Sequence, residues 1–463
     1  MRRIVVCTLM AVAGVSMGFA EEFALKFQKV RGADVMGFPG GYGTYGQLRL
    51  AKPSGLKGEP KAVSRRPLYG ELRETPRGSR LVFRLDESKG DGKGYDRLLI
   101  DMNGNGDLTD ERAAAQVVLP SEREPDNPRA TKPVLFGPIE APESAAVAGQ
   151  RPVYFAQAYI NKLPAGLSGQ QIQNLYAGQL RFKAGWYLEA TVELAGVKQK
   201  VGVFDGDSNF RLGDTAEPQT SNNEGESSWY FQGGDSLLVD SDGSGVFEGD
   251  PFGTEASPFG PVLYLGAKPF RVSLEPGCKS LRVTPWTGDV AEVALQPRGS
   301  QVRAVSLAWE HPAGKWQLIE AIAKEGKIQV PAGNYRFYGC ALLGNADSKK
   351  ALMISAYQRS VKKPLNFAAA KANTLRCGGP LDVKVNADKR IPQSWEISSK
   401  TPAKTELDSD YVLRINGQFV GAGTEIYSTF GKGERFGDDP TNPTFKVADA
   451  SGKTLGTGNL EFG

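Results

Sequence analysis

Asp96-Arg97-Leu98-Leu99-Ile100-Asp101-Met102-Asn103-Gly104-Asn105-Gly106 returns 139 residues later as Asp235-Ser236-Leu237-Leu238-Val239-Asp240-Ser241-Asp242-Gly243-Ser244-Gly245. In each, a short apolar run reads as a buried strand feeding a glycine turn dense in side-chain oxygen. Phe136-Gly137-Pro138 and Phe259-Gly260-Pro261 follow in the same order. Upstream, Leu68-Tyr69-Gly70-Glu71-Leu72-Arg73 parallels Leu175-Tyr176-Ala177-Gly178-Gln179-Leu180-Arg181, with one residue inserted. Self-similarity of this kind marks repeated supersecondary units, so the two stretches read as diverged copies of one β module.

Turn density sets the class. The 463 residues include 56 Gly and 29 Pro, which break apolar alternation often. β-Branched and aromatic residues recur in short runs without a sustained 3.6-residue period, so the chain reads as mostly β. Residues 186–194 and 197–203 predict a hairpin across Ala195-Gly196, leading into a third acidic turn at Asp205. Helix is readable only in short pieces such as residues 365–372.

A chain of this length exceeds what one core supports. Pro- and Glu-rich residues 121–142 read as a linker or long loop, and 215–228 as a polar insertion. From about Arg298 the acidic turns stop. There Lys315-Trp316-Gln317-Leu318-Ile319 and Lys327-Ile328-Gln329-Val330 bracket a glycine turn, and Val330-Pro331-Ala332-Gly333-Asn334-Tyr335 turns into a strand running to Cys340. The expected order is a signal peptide (1–20), a β module with the Asp101 loop (21–145), and a β module with the Asp205 and Asp240 loops (146–297). Two small immunoglobulin-like β-sandwiches (298–381 and 382–463) follow.

The acidic turns carry the chemistry. Calcium takes six to eight hard oxygen ligands, and a loop that wraps it needs oxygen at positions 1, 3 and 5 and glycine at 6 for the bend. Asp101, Asn103 and Asn105 meet that pattern, with Gly106 at the bend. Asp240, Asp242 and Ser244 repeat it, with Glu248 or Asp250 late in the loop. Asp205, Asp207, Asn209 and Asp214 form the third set, in which Phe210 replaces the glycine. These loops resemble EF-hand-type calcium loops, and more closely the shortened versions of exported bacterial dockerin and excalibur proteins. The resemblance covers about eleven residues per loop. It implies side-chain oxygens from Asp101, Asn103 and Asn105 and the backbone carbonyl of Asp107. Arg112 stands where the family has a bidentate acid, so Asp110 or Glu111 must close the first shell. Asx turns also close hairpins with no metal, and that reading stands beside the calcium one. Over its whole length the chain resembles large exported proteins of planctomycete and verrucomicrobial bacteria, a likeness that brings no activity with it.

Arg2 and Arg3 precede an apolar stretch from Ile4 to Val15, too short to span a bilayer. This reads as a signal peptide cleaved after about Ala20, which predicts a periplasmic or extracellular protein. No later apolar run reaches membrane-spanning length, so no membrane insertion is expected after cleavage. Loss of the two arginines lowers the formal charge from +4 to +2, and nothing calls for nucleic acid. Cys278, Cys340 and Cys377 remain. They read either as a Cys340–Cys377 disulfide with one odd thiol or as three buried thiols.

A catalytic apparatus is hard to find. The one histidine, His311, lies in Trp309-Glu310-His311-Pro312-Ala313-Gly314 and reads as a turn-flanking imidazole. No nucleophile turn accompanies it, and a His/Cys zinc site lacks ligands. Gly90-Asp91-Gly92-Lys93-Gly94 lacks the ending of a phosphate loop and reads as a flexible turn. The aromatics within residues 40–46 and in Trp229-Tyr230-Phe231 read as core, or as flat faces for a sugar or a protein. The expectation is an exported, non-enzymatic, calcium-binding protein of structural or adhesive type, with an unknown protein or polysaccharide ligand. The alternative is a glycan-active hydrolase, or its accessory protein, whose carboxylate pair leaves no mark in spacing.

Overall fold

The computed structural model describes residues 20–30, 34–35, 38, 43–72, 81–90, 94–117, 133–161, 176–194, 196–223, 226–240, 243–247, 255–297, 302–312, 314–343, 352–357, 364–390, 412–432, 444–448 and 451–459. The expected leader and most of the 121–142 linker lie outside them, as does the centre of the Gly90–Gly94 turn. Among the described residues the chain is mostly β, with two short 3-10 turns and no α-helix. None of its helices is long and apolar enough to cross a membrane.

The largest N-terminal unit is an antiparallel row of eight strands. They are β3 (Tyr45–Leu48), β4 (Leu68–Leu72), β5 (Leu81–Asp86), β6 (Arg97–Ile100), β7 (Ala114–Val117), β8 (Val134–Glu140), β9 (Val153–Ile160) and β10 (Gly178–Ala184). Their spatial order is β3-β10-β9-β8-β7-β6-β5-β4. A two-way backbone bridge between Arg49 and Tyr69 joins the ends of the row and closes it. Closure leaves no open edge to pair with another chain. Side chains fill the interior. Phe83 lies where a Cβ on Gly46 or Gly70 would strike its ring, so both positions need glycine for close approach.

Two further sheets pack on the same core. One runs β16-β15-β12-β11-β2, built from β2 (Lys26–Lys29), β11 (Trp186–Leu194), β12 (Val197–Phe204), β15 (Ser236–Val239) and β16 (Ala256–Pro258). The hairpin expected across Ala195-Gly196 is the β11–β12 pair, with Leu194 opposite Val197. The other sheet runs β1-β19-β18-β17, from β1 (Glu21–Ala24), β17 (Val262–Leu265), β18 (Lys268–Leu274) and β19 (Ser280–Pro285). One apolar cluster, including Phe83, Tyr154, Phe182, Trp186, Leu238 and Leu281, serves all three sheets. The polar stretch 215–228 holds most of a separate hairpin, β13 (Glu217–Asn223) with β14 (Glu226–Gln232). Phe231 at its base packs edge-on against Tyr338.

The C-terminal half forms a sandwich. One layer is β20 (Val290–Gln296), β23 (Lys327–Pro331) and β27 (Asn373–Arg376), in which β20 and β27 run parallel. The other is β21 (Val302–Glu310), β22 (Trp316–Ile322), β24 (Gly333–Leu343), β25 (Leu352–Tyr357), β28 (Asp382–Arg390), β29 (Val412–Val420) and β30 (Ile426–Lys432), with β26 (Leu365–Phe367) on β24. Val293, Trp309, Ile328, Tyr335, Cys340 and Tyr427 are buried in its core. β31 (Thr444–Ala448) and β32 (Thr454–Asn459) form a hairpin.

Two expectations meet a different arrangement. Strand pairing runs across the boundaries drawn at 145/146, 297/298 and 381/382, through β9 with β8, β20 with β23, and β25 with β30. Strands drawn into a separate C-terminal module add width to a sheet already begun, because β25 offered an unpaired edge. The helical reading of residues 365–372 gives way to β26, since Leu365 and Phe367 pair with Tyr335 and Gly333 and Ala370 takes a positive φ. Of the two cysteine readings, the thiol one describes the structure: Cys278, Cys340 and Cys377 are all thiols, with Cys340 and Cys377 buried in contact with each other and Cys278 partly exposed.

Candidate metal centre

Each of the three acidic turns follows a buried strand. β6 runs into Asp101, β12 into Asp205 and β15 into Asp240. In all three the position-6 backbone N–H donates to the position-1 carboxylate: Gly106 to Asp101 (2.7 Å), Phe210 to Asp205 (3.2 Å) and Gly245 to Asp240 (2.9 Å). Positions 4 and 6 are left-handed throughout. Their φ values are +74° and +82° at Gly104 and Gly106, +55° and +70° at Ser208 and Phe210, and +75° and +84° at Gly243 and Gly245. Phe210 thus holds the conformation that glycine holds elsewhere. Its ring is buried beside Tyr154, centroids 4.5 Å apart, and core packing offsets a strain of roughly 1–2 kcal/mol.

In the first turn Asp101 is fully buried and also accepts the N–H groups of Gly104 and Asn105. Asn103 and Asn105 each close an Asx turn, and their Nδ2 groups converge on Asp110 Oδ2 at 3.1 and 2.9 Å. Asp107 turns its carboxylate to Thr109, whose N–H and hydroxyl hold its pKa below the usual value. Glu111 accepts the Met102 N–H, and burial raises its pKa. Asn103, Asn105 and Asp110 therefore meet, while the Glu111 carboxylate and the side chain of Asp107, whose backbone carbonyl was the expected ligand, face other partners.

The second turn is the most deeply built. Asp205 is fully buried and accepts the Tyr154 hydroxyl from β9 at 2.6 Å. The Asn209 amide donates to Asp207 (3.1 Å) and Asp214 (2.7 Å), so all four expected ligands lie together. Asp235, which spacing did not mark as a ligand, joins them. One oxygen from each of Asp205, Asp207 and Asp235 lies within 4.8 Å of the others. Burial raises the carboxyl pKa of all three, and mutual repulsion raises those of Asp205 and Asp235 further. Two buried carboxylates and a half-buried third this close together must hold protons or a cation.

In the third turn Asp240 Oδ2 accepts the Gly245 N–H, and Oδ1 is buried without a hydrogen-bond partner among the described residues. Ser244 is exposed, with its hydroxyl on the Val246 carbonyl. Asp242, Glu248 and Asp250 lie outside the described residues.

The other candidates take up structural contacts. His311 sits at the β21–β22 turn, edge-on to Trp309. Tyr45 is exposed on β3, whereas residues 40–42 are not described. No protein-family model matches this chain, and no curated protein or solved structure matches it.

Proposed function

We propose that this chain is an exported, non-enzymatic β protein whose EF-hand-like turns hold calcium as a brace, in a structural or adhesive role toward a protein or polysaccharide. The observation that carries the reading is the shared geometry of the three turns, with left-handed residues at positions 4 and 6 and the position-6 N–H on the first aspartate. That bend crowds the oxygen-bearing side chains of each loop together, as a calcium loop requires. The donors are carboxylate, amide and hydroxyl oxygens, the hard set that suits calcium, and the orphaned Asp240 Oδ1 is a buried oxygen that a cation would satisfy. Calcium here neutralises charge and fixes loops; it supplies no reaction. Strands flank the turns, so binding steadies the fold without opening a helix pair. A glycosidase needs two carboxyl groups facing a groove, and Asp205 and Asp235 are buried.

The test is calorimetric melting of the mature protein in calcium and in chelator. A site held at tenfold its dissociation constant adds about 1.4 kcal/mol, which is roughly 3–6 °C for a domain of this size. The melting temperature is expected to fall on chelation, and Asp101→Ala and Asp240→Ala are each expected to reproduce part of the drop. Superimposable curves in the two buffers remove calcium from the function.

A further inference from the structure

The pairing of β12 with β15 places Val201 opposite Val239 and Phe204 opposite Ser236. One step further, the same register sets Asp205 opposite Asp235. Like charges directly opposite on antiparallel strands repel, and here both are buried, Asp205 at 0% and Asp235 at 2% exposure. No lysine or arginine forms an ion pair with Asp205, Asp207 or Asp235 among the described residues. The backbone has been shaped to bring Asp235 in. Gly233 and Gly234 both take positive φ before it, and the Gly234 N–H donates to Asp207 at 2.8 Å. Asp235 Oδ2 then accepts the Gly213 and Asp214 N–H groups. Its other oxygen, Oδ1, is buried with no hydrogen-bond partner among the described residues.

We propose that Asp205, Asp207 and Asp235 form one divalent-cation site whose decisive ligand, Asp235, comes from the neighbouring strand rather than from the acidic turn. The ligand class is a hard divalent cation of calcium type, since every donor is oxygen. Unlike a self-contained loop, this centre ties the end of β12, the Gly233-Gly234 turn and the start of β15 into one unit. Through the Tyr154 hydroxyl on Asp205 it also reaches the eight-stranded row. The inference rests on the calcium reading above but assigns its own ligand.

The experiment uses the full mature chain with two probes, calorimetric calcium titration and terbium luminescence sensitised by nearby aromatic rings. Tyr154, bonded to Asp205, is the donor expected to light this site. Asp235→Asn is expected to remove one calcium equivalent and most of the sensitised emission. An Asp101→Ala/Asp240→Ala double variant is expected to lose other equivalents and keep that emission. Tyr154→Phe should dim the emission while calcium stoichiometry stays at the wild-type value. Should Asp235→Asn fail to fold, Asp207→Asn, at a partly exposed position, is expected to show the same loss of one equivalent. Wild-type stoichiometry and emission in a folded Asp235→Asn or Asp207→Asn protein overturn this site and leave the loop reading standing. A wild-type protein that binds no calcium overturns the loop reading itself.

Discussion

Phe210 shows what a single residue can hide. Read as a string, a phenylalanine at the bend position weakens the second turn; folded, it adopts φ +70° and anchors the turn to the core by packing tilted against Tyr154 and Phe182. Phe210→Gly would relieve the left-handed strain but empty a buried aromatic site, which costs about 3–5 kcal/mol. A net loss of roughly 2–3 kcal/mol is expected in urea unfolding, after the strain of about 1–2 kcal/mol is recovered. A stabilised Phe210→Gly protein would mean that the ring does not anchor the turn. The carboxyls beside it, two buried and one half-buried, set a pH dependence. Their folded pKa values are raised, so without metal they contribute stability that is fully present below about pH 4 and lost as pH rises through the folded values. With calcium bound, the ionised forms are favoured and the sign reverses. Melting temperatures measured across this range are therefore expected to fall with rising pH in chelator and to hold or rise in calcium. Parallel pH profiles in the two buffers would contradict it. Asp205, Asp207, Asn209 and Asp214 could be picked out in the sequence because they crowd into ten residues. Asp235 could not, since its role comes from a partner thirty residues away.

At the scale of elements, the same distinction separates hairpins from longer connections. β11 and β12 were legible because a glycine turn joins two alternating runs, and the register follows from that turn. The pairing of β12 with β15 was not, because a polar hairpin intervenes and nothing local specifies which strand returns. The Gly233-Gly234 turn does part of that specifying. A Cβ at Gly234 would collide with the backbone of Ala216, and φ is +84°, whereas Gly243 has φ +75° and open space around it. Gly243→Ala is therefore expected to cost about 1 kcal/mol from backbone strain alone. Gly234→Ala should cost distinctly more, and should also weaken calcium binding by displacing Asp235 and the N–H that Asp207 accepts. Equal unfolding midpoints for the two variants would show that the collision is relieved without moving the turn.

Across the whole molecule, mostly β architecture was readable from turn density and short apolar runs, but the division into modules was not. Composition marks where a chain turns polar; it does not say which edge strand a later segment will join. β1 pairs with β19 some 260 residues away, Glu22 with Arg282 among them, so distant parts of the sequence complete one sheet. β17 illustrates how the two halves meet. Its alternate residues face opposite ways, Leu263 and Leu265 into the first core and Val262 and Tyr264 into the second. All three acidic turns border the first core, with Phe210 and Phe247 inside it; the Asp205 turn also reaches the edge of the sandwich, where Leu212 and Gly213 line a cleft with Gln317. Metal binding should then act on one half. Calorimetry is expected to resolve two transitions, of which only that of the N-terminal half rises with calcium, by roughly 3–6 °C per occupied site. The halves touch through β17, the Phe231–Tyr338 ring contact and Arg271 over the Trp286 ring, contacts few beside the two separate cores. A single transition, or two that shift together, would mean that the cores unfold as one and that β17 binds them more tightly than its alternation implies.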